Sequence, residues 1–170
     1  PEAEVRDPSD YLGNFAVWTP EIELLASVIL GWIALDLPGG CMHGPQRTGK
    51  SCAIDYIVGS AEDYFGSKVL VSRIIIPESL ADRENAWTAE ALIQHGLIAR
   101  ARDGAVLKQR LLGWYQEMMA ALRTQRVLLV VDEAQNLTRF HHGQLMYWHN
   151  LLEREGMRPF TLLVGQPELE

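Results

Sequence analysis

The apolar positions of this chain fall into two kinds of stretch. Some are short runs rich in Val, Ile and Leu; others are longer and place an apolar residue at every third or fourth position. The first pattern predicts strands and the second helices. Runs at Gly40–His43, Lys68–Ile76, Val127–Asp132 and Phe160–Val164 read as four strands, with Pro77 closing the second and Gly165-Gln166-Pro167 the fourth. The third run has no polar member before its end, as expected of a parallel strand buried on both faces. Between the strands, Ile22, Leu25, Ile29, Trp32 and Ile33 keep helical spacing from Pro20 to Asp36. Cys52–Val58 gives a helix ended by Gly59, and 59–66 a polar connection. Thr88–Ala101 reads as a helix broken by Asp103-Gly104. Leu107, Leu111, Trp114, Tyr115, Met118 and Leu122 form one stripe, and Gly143–Glu155 turns Leu145, Trp148 and Leu152 inward. Strands alternating with helices predict an α/β fold, a parallel sheet flanked by helices.

Composition narrows the class. The 170 residues suffice for one domain with a sizeable core, and a hydrophobic share of 48% suits a globular protein. No apolar run approaches the ~20 residues of a membrane helix and no signal peptide opens the chain, so a cytoplasmic protein without a membrane partner is expected. Cys41 and Cys52 read as buried, reduced packing residues, and the His141-His142 pair as a solvated helix start. The formal charge of −7 argues against a uniformly basic surface. Its distribution is uneven: residues 98–126 hold Arg100, Arg102, Lys108, Arg110, Arg123 and Arg126 against only Asp103 and Glu117.

Two motifs carry chemistry. Gly44-Pro45-Gln46-Arg47-Thr48-Gly49-Lys50-Ser51 fits G-x-x-x-x-G-K-[ST] and lies between a predicted strand and the helix that begins near Cys52. Such a loop converges backbone N–H groups on a β-phosphate, with Cys52 completing the phosphate-binding set. Lys50 is then placed for the β- and γ-phosphates and the Ser51 hydroxyl for Mg²⁺. Asp132 and Glu133 end the apolar strand, expected beside the loop strand. There Asp132 holds Mg²⁺ through a water and Glu133 orients or deprotonates the attacking water. Gln166, at the end of the fourth strand, either reaches the γ-phosphate or the attacking water, or is a turn residue before Pro167. Val17 and Trp18 serve either core packing or contact with the base.

These residues resemble the AAA+ ATPases, and more narrowly the transposition regulators TnsC, TniB and MuB. The resemblance rests on Gly44-Pro-Gln-Arg-Thr-Gly-Lys-Ser51, Val-Val-Asp-Glu-Ala-Gln135 and Leu-Val-Gly-Gln-Pro-Glu-Leu169, and spans about residues 20–169. The last motif is also similar to secretion ATPases of the ExeA type. The resemblance implies a P-loop NTPase fold of the AAA+/ASCE kind, with residues 20–170 as the ATPase core truncated before its helical lid and 1–19 as an N-terminal arm. It implies ATP and Mg²⁺ as cofactors, Gln166 as sensor 1, and adenine as the base; no Asn-Lys-x-Asp guanine signature is present. It further implies self-association into a ring or filament on duplex DNA, recruitment of a transposase with target-selector proteins, and release on hydrolysis. DNA contacts in the family lie between the second strand and the acidic one, which makes Arg100, Arg102, Lys108 and Arg110 the phosphate-contacting candidates. The alternative from the ExeA likeness is an ATPase acting on protein without DNA.

Overall fold

The computed structural model of the protein describes residues 19–45, 48–100 and 103–167. Val17, Trp18, Gln46, Arg47, Arg102, Glu168 and Leu169, all singled out above, lie outside the described residues. The elements run α1 Pro20–Ala34, β1 Gly39–His43, α2 Lys50–Phe65, β2 Leu70–Ile75, α3 Glu84–Gln94, α4 Gly104–Leu122, β3 Arg126–Asp132, a 3-10 turn Ala134–Asn136, α5 Arg139–Arg154 and β4 Arg158–Gly165. The four strands form one parallel sheet in the order β1-β4-β3-β2. The α/β architecture is therefore as expected, with one correction: the acidic strand β3 does not lie beside the loop strand β1. β4 lies between them and pairs with β3, and this puts Gln166 at the centre of the sheet's carboxyl edge.

The uninterrupted apolar run of β3 is explained by its two neighbours in depth. Val127, Leu129 and Val131 join the core under α3, α4 and α5, while Leu128 and Val130 join the core under α1 and α2. Because alternate residues face opposite ways, a strand covered on both faces has no position left for a polar side chain. Phe160, Leu162 and Val164 of β4 extend the α1/α2 core. The two glycines that open β1 have a packing reason: a Cβ on Gly40 would sit 2.6 Å from the Trp32 ring of α1.

Several element ends differ from the sequence reading. The helix expected to end at Gly59 continues to Phe65 and stops at Gly66, whose φ of 63° is left-handed. Gly59 costs about 1 kcal/mol in a helix, and burial of Ala61 with packing of Phe65 against the core outweighs it. α3 starts earlier and ends at Gln94 rather than Ala101, because Gly96 turns the chain at φ 73°. α5 starts at Arg139 rather than Gly143, since Thr138 and His141 form a reciprocal capping box. His141 is therefore not solvated but fully buried, with Nε2 3.2 Å from the Ala81 carbonyl; only His142 of the pair faces water. Cys41 and Cys52 are free thiols as expected, but neither is buried: Cys41 is exposed on the edge strand and Cys52 is partly exposed on α2.

The opposite edge of the sheet is closed by a side chain. Gln94 accepts from the Ile75 N–H at 2.7 Å and donates to the Ile75 carbonyl at 2.8 Å, pairing as a further strand would. Behind it, Ser72 bonds His95 Nε2 at 2.8 Å and the Tyr115 hydroxyl at 2.7 Å, with His95 stacked on Trp114 at 3.9 Å. Burial pushes Tyr115 up to about 12 and holds His95 below the ordinary histidine value. His149, beside Glu153, is also held low, chiefly by burial. A depressed folded-state value means the unfolded chain binds protons first, so stability is full above about pH 6.5 and falls as pH drops below it. Thermal melts at pH 7.5 and 5.5 should show this loss, and His95→Gln should shrink the difference. No helix among the described residues is long and apolar enough to cross a membrane.

Candidate active site

The phosphate-loop motif connects β1 to α2. Gly44 N–H donates to the Gly165 carbonyl at 3.3 Å, which fixes the start of the loop against the end of β4. Gly49 takes φ 85°, a conformation that a side chain would strain, and no side chain caps the first turn of α2. The leading amides of α2 are thus the kind of donor set that binds an anion. Lys50 folds back over the loop, Nζ donating to the Gly44 carbonyl at 2.7 Å and the Pro45 carbonyl at 2.8 Å. Thr48 Oγ1 also donates to the Pro45 carbonyl, at 2.8 Å. A phosphate placed in the loop offers Lys50 a stronger, charge-assisted partner than these carbonyls.

Across the β4 insertion, β3 delivers its two acids. Asp132 Oδ2 receives Arg73 Nη2 from the neighbouring strand β2 at 2.5 Å, and the same nitrogen lies 3.5 Å from Ser51 Oγ. One cationic nitrogen thus sits between the two oxygens that the sequence nominated for a metal. This is the fit expected for Mg²⁺, which takes hard oxygen ligands and keeps water and phosphate in its other positions. No cluster of three His, Cys, Asp or Glu side chains that could hold a metal ion is present among the described residues.

Glu133 departs from strand geometry at φ 55° and ψ 40°, left-handed for a residue with a side chain. Such a conformation costs on the order of 1 kcal/mol and is held here by surrounding bonds. Its N–H donates to Asp132 Oδ1 at 3.0 Å, and Glu133 Oε2 accepts from Gln135 Nε2 at 2.5 Å and from Gln166 Nε2 at 3.4 Å. Gln135 Oε1 in turn accepts from the Gln166 N–H at 3.1 Å. Glu133 is partly exposed, so its carboxylate is open to a water while two amides set its direction.

The fold therefore brings Lys50, Ser51, Asp132, Glu133 and Gln166 to one carboxyl edge, and adds two residues the sequence reading left without a role. Gln135 stood in a quoted motif without one. Arg73 had a visible signal: Ser72-Arg73 interrupts an otherwise apolar strand. Arg100, Lys108 and Arg110 are elsewhere. Arg100 is exposed, Arg110 donates to the Ile98 carbonyl at 3.1 Å, and Lys108 is paired with Glu84 and lies 4.6 Å from the Tyr147 ring centre.

Comparison with known proteins bears on the fold and the family. No curated protein sequence matches the chain. Among solved structures, the ORC2 protein of Aeropyrum pernix, determined as ADPNP and ADP complexes, is 19% identical with a TM-score of 0.55 over 86% of this chain and 40% of that one. The ORC1 protein of the same organism, solved in complex with DNA, is 15% identical with a TM-score of 0.57 over 91% of this chain and 41% of that one. The chain thus spans about two fifths of each of these proteins, and the likeness is one of fold. The family described as AAA domain matches residues 39–170, from the first residue of β1 through both motifs and β4. With a loop, an acid pair and a strand order that all suit a nucleotide-binding ATPase domain, this chain belongs to the AAA domain family.

Proposed function

We propose that the chain is the ATPase core of a nucleotide-driven switch that assembles on duplex DNA, of the transposition-regulator type represented by TnsC, TniB and MuB. In this reading residues 20–170 form the core and 1–19 an arm. ATP with Mg²⁺ orders the assembly, with the loop residues on the phosphates and Ser51 and Asp132 on the metal. Glu133 then activates water, Gln166 senses the γ-phosphate, and hydrolysis releases the complex. The observation that carries the enzymatic part is the convergence of Ser51, Asp132, Glu133 and Gln166 at one sheet edge with two amides orienting Glu133. DNA is the first ligand to test because basic residues concentrate between β2 and β3, and because a protein of the same fold has been solved with DNA.

Arg100 and Arg110 are the arginines to test. Lys108 contributes less, since Glu84 already pairs with it and compensates its charge. Replacing both arginines with Ala should weaken duplex binding in the presence of an ATP analogue. It should also flatten the salt dependence by about 0.9 in log–log slope for each DNA phosphate that is no longer neutralised. Lys108→Ala should change little. Fluorescence anisotropy at several salt concentrations reads both quantities. An absence of duplex binding by the unmodified chain with nucleotide would overturn the DNA reading and leave an ATPase that acts on protein.

A further inference from the structure

Arg73 is the charged residue at this site that neither motif contains. It projects from β2 with its guanidinium between Ser51 and Asp132, and its Nε is buried without a hydrogen-bond partner among the described residues. The ion pair is only partly enclosed: the Arg73 side chain is 34% exposed and that of Asp132 16%. On its other side Arg73 lines a cleft of about 510 Å³ together with Ile75, Pro77, Glu90 and Gln94. The side chain therefore bonds one carboxylate, Asp132, and lines a cleft that holds a second, Glu90, whose Oε1 accepts from Gln94 Nε2 at 2.6 Å.

We propose that Arg73 is a built-in cation that occupies the magnesium position and holds Ser51 and Asp132 together, and that Mg²⁺ arriving with nucleotide displaces it towards Glu90. The proposal rests on the nucleotide-site reading above and adds a regulatory element to it: the free Mg²⁺ concentration, not ATP alone, sets when the site closes. A monovalent and a divalent cation compete for one carboxylate, so removing the arginine must favour the metal. Removing the carboxylate that receives the arginine must oppose it. A guanidinium in this position also keeps Asp132 neutralised and the sheet edge free of an unpaired charge before nucleotide binds.

The test is the Mg²⁺ dependence of binding of a fluorescent ATP analogue, with the Mg²⁺ midpoint as the readout. Arg73→Met should lower that midpoint about fivefold, the scale of a partly exposed ion pair. Glu90→Gln should raise it about twofold, since the displaced guanidinium loses its partner. A raised midpoint in Arg73→Met, or weaker nucleotide binding at saturating Mg²⁺, would overturn the proposal by making Arg73 a phosphate ligand. Unchanged midpoints in both variants would overturn it as well. Should Arg73→Met fail to fold, the half-buried Glu90→Gln variant decides the matter by itself, a midpoint at or below the unmodified value counting against displacement. Failure of the underlying reading looks different: the unmodified chain would then bind no analogue at any Mg²⁺ concentration.

Discussion

Glu133→Gln should reduce ATP turnover by about a hundredfold or more while leaving ATP affinity within a few fold of the unmodified chain. The substitution keeps the side chain's size and its capacity to accept from Gln135 and Gln166, so the network around it survives. What it removes is the carboxylate's basicity, which in the proposed function draws a proton from the attacking water. Binding and chemistry therefore separate, a result that steady-state turnover and equilibrium binding of a fluorescent analogue distinguish. A parallel loss of both would mean that Glu133 supports the local fold through its left-handed backbone rather than acting on water. Retained turnover would remove it from the reaction altogether.

The second large effect concerns Lys50. Replacing it with Ala should weaken ATP binding by about ten- to a hundredfold, the loss expected when charge-assisted hydrogen bonds to phosphate disappear. Stability should change little by comparison. Among the described residues Lys50 Nζ bonds the Gly44 and Pro45 carbonyls of its own loop, on a partly exposed surface where water replaces it readily. Equilibrium binding and a thermal melt, measured on the same variant, check the two halves of this expectation. A large fall in melting temperature with intact affinity would reverse the assignment and make Lys50 a loop brace.

The parts of this site that the sequence displays are those whose chemistry is contiguous. A glycine-lysine loop and a pair of acids after an apolar strand each declare themselves within eight residues or fewer, because each is a local device. Strand and helix alternation is equally open to reading, since β3 is apolar from Val127 to Val131 for a reason periodicity detects. What stays hidden depends on distance. Arg73 becomes meaningful only when β2 pairs with β3 and brings it to Asp132, and the position of β4 between β1 and β3 is set by packing that no run of residues announces. Gln135 joins Glu133 to Gln166 only once the turn after β3 and the end of β4 lie together. The misplaced helix ends follow the same rule. Gly59 looks like a stop until Ala61 and Phe65 are seen to be packed on the core, and His141 looks solvated until Thr138 and the Ala81 carbonyl enclose it.

The most direct test of the nucleotide site is a map of backbone amide shifts as the chain is titrated with Mg²⁺ and a nonhydrolysable ATP analogue. The account predicts that Gly49, Lys50 and Ser51 shift together with Asp132 and Glu133, and saturate at one nucleotide per chain. Shifts confined to other surfaces, or none at millimolar analogue, would contradict it.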